Sequence, residues 1–147
     1  MRKKEIALVA ACGAVVLTAV AWAQSPKRPA LDSAVFDWKQ VRAEATKYGA
    51  KRQVFDGSTA SLARLECHTT TLNPGETTHP PRRQPDEELV IVKDGTIEAQ
   101  INDQPHRAEA GSVIFVKSND LYGVRNPTDA PATYYVVKWL AVDVAAK

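Results

Sequence analysis

The chain has 147 residues, of which 44% are hydrophobic and 24% are charged, and its formal net charge is +2. This length and composition are those of one globular domain with a single core, and they argue against a disordered or multidomain protein. The small net charge also argues against a protein whose function depends on a strongly basic surface.

The first 23 residues are typical of an export signal. Three basic residues precede an apolar run that begins at Ile6, and residues 21–23 (Ala-Trp-Ala) match the pattern that signal peptidases cut. We therefore predict a signal peptide over 1–23 and a periplasmic or secreted protein. Its removal leaves 16 basic and 16 acidic residues, so nucleic acid is not expected as a partner.

Two alternatives would keep the chain at a membrane. The stretch 6–23 has 18 residues, the lower edge of a bilayer span, so one alternative is an uncleaved anchor. Cys12 follows Val-Ala-Ala as in a lipoprotein cleavage site, so the other is lipidation. A cleaved signal fits better, because basic residues, a short apolar stretch and small residues at its end are all typical of one.

The start of the mature chain is predicted to contain a linker and a helix. Residues 24–32 are polar and proline-rich, which favours a linker followed by one domain over 33–147. Residues 37–48 are predicted to form a short helix, with Asp37 as its cap and with Val41 and Ala45 on one face.

From Gly49 onward the sequence follows the period-two pattern of β-strands. We predict a hairpin around residues 56–58 (Asp-Gly-Ser), and further strands over 88–92, 96–101, 112–116 and 133–139. Turn-forming residues recur about every 8 to 12 residues, and they include a predicted polar turn at 104–107. This spacing indicates an antiparallel sandwich or barrel.

Two motifs in this region resemble those of the cupin superfamily. Residues 74–95, PGETTHPPRRQPDEELVIVKDG, are similar to the first cupin motif, and Glu88 and Gly95 keep its final Glu-to-Gly spacing. Residues 110–126, AGSVIFVKSNDLYGVRN, are similar to the second motif, which begins with Gly and ends with Asn. The resemblance covers roughly residues 62 to 140.

The resemblance implies an all-β protein with a cupin-type jelly-roll β-barrel, preceded here by the short N-terminal helical segment. In the second motif, residues 117–119 (Lys-Ser-Asn) stand where the family has Pro-x-Gly. Asn119 is expected to adopt the left-handed turn conformation that glycine usually supplies.

In the family, two His and the Glu of the first motif and one His of the second bind a divalent metal. The resemblance places Arg82 and Gln84 at the first two His positions and Tyr122 at the third, so only Glu88 is kept. Arginine stays protonated and has no lone pair for a metal. The remaining oxygen donors suit neither zinc nor iron and are too few for calcium, so no standard metal site or cofactor is expected.

Our first hypothesis is a binding domain rather than an enzyme. Arg82, Gln84, Glu88, Tyr122 and His79 would contact a small polar ligand, best a carboxylate, since a guanidinium can bind both its oxygens. An inward Arg82 would also compensate Glu88 at the place of the metal's charge. Alternatively, Arg82 is solvated in its proline-rich loop.

The second hypothesis is a metal-dependent isomerase, lyase or oxygenase with an atypical ligand set that includes His79 and Glu88. His68 and His106 are expected to be structural or solvated. A purely structural or assembly role is a third possibility. A homodimer is also expected, because cupins commonly pair through edge strands.

Overall fold

The structure is a computed structural model that describes residues 28–142. The predicted signal peptide and its two membrane-bound alternatives lie outside these residues. The described part contains nine β-strands: β1 Glu44–Thr46, β2 Gly49–Gly57, β3 Leu62–Leu72, β4 Glu87–Asp94, β5 Thr96–Ile101, β6 Gln104–Glu109, β7 Val113–Val116, β8 Tyr122–Arg125 and β9 Ala132–Ala141.

The strands form two antiparallel sheets. One has six strands in the order β1-β2-β3-β9-β4-β7, and the other has three in the order β6-β5-β8. Apolar side chains from both sheets make one buried cluster, which includes Val90 and Val92 from β4, Ile97 and Ala99 from β5, and Val124 from β8. The non-consecutive strand order and the shared core are those of a jelly-roll barrel, so the predicted all-β fold is confirmed.

The predicted hairpin and strands are confirmed, with bounds that differ by at most two residues for the four later strands. Residues 104–107, predicted as a turn, instead belong to β6. This strand has one buried residue, Ala108, so it lacks the alternation of apolar residues that would reveal it. Tyr122–Arg125 was likewise not predicted as a strand, because its four residues are too few to show a period.

The predicted helix over 37–48 is wrong. Asp37 accepts hydrogen bonds from the backbone N–H groups of Lys39, Gln40 and Val41, but this single turn ends there and β1 begins at Glu44. Nearly all of the segment is exposed, so no apolar face is buried to stabilise a helix that is marginal by itself. No helix able to cross a bilayer occurs within residues 28–142.

The last part of the predicted linker lies against the domain. Leu31 and Ser58 are joined by a backbone hydrogen bond of 2.9 Å, and the Ser58 N–H donates to the Pro29 carbonyl, also at 2.9 Å. Residues 31–36 continue across the outer side of β2, where the rings of Phe36 and Phe55 are 5.2 Å apart. The domain therefore begins a few residues before residue 33.

Two asparagines of the second motif shape the loops in which they lie. Asn126 is fully buried, and its side-chain amide donates to the carbonyls of Leu72, Asn73 and Ala130. It thus ties the end of β3 to the loop before β9. Asn119 has φ of 64°, which confirms the left-handed turn predicted for it.

Candidate functional site

A polar cavity of about 290 Å³ opens between the large sheet, β8 and the loop that connects β3 to β4. All five residues predicted to bind a ligand line it: His79, Arg82, Gln84, Glu88 and Tyr122. The structure therefore brings the two motif regions to one cavity.

The floor of the cavity is a row of alternating charges across three strands. Glu66 of β3 lies opposite Lys138 of β9, and Lys138 lies opposite Glu88 of β4. All three side chains line the cavity, and both carboxylates are nearly buried. Directly opposite residues in antiparallel strands have neighbouring side chains, and here the Lys138 ammonium forms an ion pair with Glu88.

Lys138, rather than Arg82, compensates Glu88. The Lys138 Nζ is 3.1 Å from the Glu88 Oε2 and donates to the Gln84 Oε1, also at 3.1 Å. The Gln84 Nε2 donates to the same Glu88 oxygen at 2.6 Å, which closes a triangle of side chains. The predicted pairing of Arg82 with Glu88 is therefore wrong. Lys138 reaches the carboxylate from the neighbouring strand, whereas Arg82 lies in the loop at the rim.

Arg82 and Tyr122 face each other across a short antiparallel bridge. The Arg82 N–H donates to the Tyr122 carbonyl at 2.9 Å, and the Tyr122 N–H donates to the Arg82 carbonyl at 3.1 Å. Directly paired residues project to the same side, and both residues line the cavity. Arg82 is nevertheless exposed, as the alternative of a solvated arginine predicts. Arg82 makes no ion pair with any residue in the described part of the chain.

The Tyr122 hydroxyl is an unpartnered polar group. The side chain is 3% exposed, and its oxygen has no hydrogen-bond partner among residues 28–142. Burial, and then the nearby Glu88 carboxylate, hold the pKa of Tyr122 well above its ordinary value. The phenol therefore stays protonated, and its hydroxyl is a donor without an acceptor among the described residues.

A second charged group lies beside the floor. The Glu66 carboxylate accepts from Arg64, lies 3.7 Å from the Lys51 Nζ and lies 2.9 Å from the His68 Nδ1. Burial alone would raise the pKa of Glu66, but the hydrogen bond to His68 and the surrounding positive charges outweigh it and lower the pKa to about 2. Glu66 is therefore ionised at any ordinary pH.

Comparisons with known proteins agree with this architecture. The family model described as "Cupin domain" matches residues 68–138. Residues 68–138 form a cupin domain.

Solved cupin structures superimpose on the chain at low sequence identity. An RmlC-like cupin from Shewanella frigidimarina is 15% identical with a TM-score of 0.61, and the match covers 76% of this chain and 95% of that one. A sugar phosphate isomerase of the cupin superfamily from Silicibacter pomeroyi is 17% identical with a TM-score of 0.57, covering 72% and 75%. A predicted oxalate decarboxylase from Thermotoga maritima is 14% identical with a TM-score of 0.59, covering 73% and 99%. These likenesses show the fold.

No curated protein sequence matches the chain.

The cavity does not suit the divalent metal that the resemblance to cupins implies. Glu88, the one ligand position kept, is engaged by an ammonium and an amide. An arginine, a glutamine and a protonated phenol stand at the other positions, and they offer no imidazole. Residues 28–142 contain no group of three or more His, Cys, Asp or Glu side chains placed to bind a metal ion.

The motif comparison missed half of the cavity. Glu66, His68 and Lys138 lie on strands outside the two motifs, and His68, expected to be structural or solvated, lines the cavity. The alternation of Arg64, Glu66 and His68 along β3 is a period-two signal that could have indicated a shared polar face. It could not show that this face meets the motif residues.

Glu66 predicts a specific loss of stability in acid. Its folded-state pKa of about 2 lies below the ordinary value of 4.5, so ionised Glu66 stabilises the fold above pH 4.5 and loses this effect as the pH falls towards 2. We expect the stability advantage of the wild type over Glu66→Gln to shrink by up to about 3 kcal/mol across this window. Denaturant unfolding at a series of pH values measures it.

The exposed Glu76→Gln variant serves as the control, and it should show no such pH-dependent difference from the wild type. An advantage over Glu66→Gln that stays constant between pH 4.5 and 2 would contradict the assignment.

Proposed function

We propose that this cupin binds a small molecule with one carboxylate group in the cavity, without a metal. The observation that carries the proposal is the buried Tyr122 hydroxyl, which has no partner in the described structure; the exposed Arg82, paired with Tyr122 through the backbone, lines the same cavity. A buried polar group without a partner costs about 1–3 kcal/mol, so a ligand oxygen that accepts from it would recover this free energy.

Charge supports a ligand with a single anionic group. Four Lys and Arg side chains line the cavity, and three of them already have a carboxylate within 3.7 Å. Arg82 is the fourth, and its planar guanidinium can donate to both oxygens of a carboxylate. A ligand with one carboxylate would therefore neutralise Arg82, which has no ion-pair partner among residues 28–142.

The size of the cavity supports a small ligand. Its volume of about 290 Å³ is at the lower end of the range of small-molecule sites, roughly 300–1,000 Å³. The tyrosine rings of Tyr122 and Tyr134 and the side chain of Val136 provide apolar surface beside the charged floor. A compact organic acid with a short apolar part fits this combination.

The alternative is a metal-dependent enzyme with His79 and Glu88 among its ligands. Two of the similar structures are described as enzymes, one as a sugar phosphate isomerase and one as a predicted oxalate decarboxylase. His79 does line the same cavity, with its Nδ1 2.8 Å from the Pro80 carbonyl. The donor chemistry described above favours the metal-free proposal.

A thermal-shift screen with small monocarboxylic acids tests the proposal. We expect at least one acid to raise the melting temperature of the wild type, Arg82→Ala to abolish the shift, and Tyr122→Phe to weaken binding about tenfold, as one hydrogen bond is lost. Arg83→Ala is the matched control, because this neighbouring arginine donates to the Asn119 carbonyl outside the cavity.

An equal shift in Arg82→Ala would count against the site. Elemental analysis of the same dialysed protein separates the two functions: near-stoichiometric iron, manganese, nickel or zinc would favour the metal-dependent enzyme.

We also propose that the cupin forms a homodimer through an apolar outer face on β7 and β4. Val113 and Phe115 on the edge strand β7 are 61% and 54% exposed, and Ile91 lies directly opposite Val113. An exposed apolar surface at an open sheet edge favours association with a second copy.

Sedimentation analysis tests the dimer. We expect Phe115→Glu to convert a dimer into a monomer, because a charge would be placed in the buried interface. Val35→Glu, at an apolar residue on the N-terminal segment that is 96% exposed, should leave the dimer intact. A wild-type protein that stays monomeric at high concentration would disprove this interface.

Export is proposed from residues 1–23. Expression of the full chain in a bacterial host is expected to yield a protein outside the cytoplasm that begins at residue 24. N-terminal sequencing measures this, and recovery of the uncut chain from the membrane fraction would favour the anchor instead.

A further inference from the structure

The cavity contains a histidine–carboxylate pair that the proposed binding does not use. His68 and Glu66 lie two residues apart on β3, and both line the cavity. The His68 Nδ1 is 2.9 Å from the Glu66 Oε1. The His68 side chain is 12% exposed and that of Glu66 is 6% exposed, so the pair is shielded from bulk water.

The Glu66 carboxylate determines how the imidazole is protonated. An ionised carboxylate can only accept a hydrogen bond, so the His68 Nδ1 must carry the proton and donate it. A neutral imidazole held in this way has its lone pair on Nε2. Contacts with Arg64 and Lys51 keep Glu66 ionised and fixed in place. An imidazole oriented by a fixed carboxylate is the usual construction of a general base.

The same cavity holds a proton donor and an anion clamp. The buried Tyr122 hydroxyl has no partner among the described residues, and the exposed Arg82, its backbone partner, lines the same cavity. A 2-oxo acid has a carboxylate next to a carbonyl group. Its carboxylate matches Arg82, and its carbonyl oxygen matches the adjacent phenol.

We propose that the cavity catalyses metal-independent proton transfer at the carbon next to the carbonyl group of a small 2-oxo acid. The His68 Nε2 removes a proton from this carbon, and the electron pair of the broken C–H bond forms the C=C bond of an enolate. The Tyr122 hydroxyl donates to the carbonyl oxygen, where the negative charge develops. Return of a proton from the imidazolium to carbon completes the cycle, so no oxidant, reductant or metal is needed.

This inference rests on the proposed binding function and adds a reaction to it. His79 also lines the cavity, but its ring contacts the carbonyl of Pro80 and no carboxylate in the described chain. His68 is therefore the histidine that the structure equips as a base.

Hydrogen–deuterium exchange of pyruvate and 2-oxobutyrate tests the proposal. The full chain is incubated with each acid in D₂O with a chelator, and proton NMR follows the loss of the C3 hydrogens. We expect exchange well above the buffer rate for at least one acid. His68→Gln should reduce the enzymatic rate roughly 10²-fold or more.

Tyr122→Phe is the second variant. This variant lacks a hydroxyl that makes no hydrogen bond in the described structure, so it should fold normally. It should nevertheless catalyse hydrogen–deuterium exchange of the acid more slowly than the wild type. His106→Gln is the matched control, because His106 is exposed on β6 outside the cavity, and this variant should exchange at the wild-type rate.

Thermal shifts with the same two acids separate the possible failures. If His68→Gln keeps the ligand-induced shift and loses exchange, the proton-transfer proposal is supported. Exchange no faster than buffer despite a wild-type shift, or equal exchange in His68→Gln, would overturn proton transfer and leave binding intact. Absence of both shift and exchange would overturn the reaction for these acids. Absence of a shift throughout the wider acid screen would overturn binding as well.

Discussion

The cavity depends on the row in which Lys138 lies between Glu66 and Glu88 on adjacent strands. A single buried carboxylate in this position would be costly, and removal of one partner from such a pair typically costs about 3–5 kcal/mol. The ammonium supplies the positive charge that a metal supplies elsewhere in the family, and it does so from a rigid strand. Because the three side chains are held by strand register, the charges of the floor are fixed before any ligand arrives.

Because Lys138 compensates Glu88, other polar groups of the cavity are not needed for this purpose. Gln84 joins the contact between Lys138 and Glu88, so Arg82 and Tyr122 are left without side-chain partners in the described structure. Glu66 is saturated by Arg64, Lys51 and His68, which makes it an orienting group for the imidazole rather than a ligand for a cation. The cavity therefore combines an exposed arginine, a protonated phenol and an imidazole oriented by a carboxylate.

Predictions from the sequence succeeded where the signal was local. The strand over 96–101 has alternating apolar residues, and the strand over 133–139 is rich in β-branched and aromatic residues. The left-handed Asn119 follows from the short-range preferences of a turn. The helix over 37–48 was also predicted from local signals, namely its cap and its apolar spacing. It does not form because no apolar surface is available to bury its face. Strand β6 was missed for the opposite reason, since pairing with β5 holds a polar segment whose sequence shows no strand pattern.

By itself, the sequence determined the barrel class and one side of the cavity, because the residues from His79 to Glu88 and Tyr122 lie within two short motifs whose spacing is visible in the chain. Only the tertiary structure decided which charge neutralises Glu88 and that His68 lines the same cavity. Lys138 is 50 residues from Glu88, and His68 is 54 residues from Tyr122. Strand order and register bring these groups to one cavity, and long-range pairing of this kind has no local signature in the sequence.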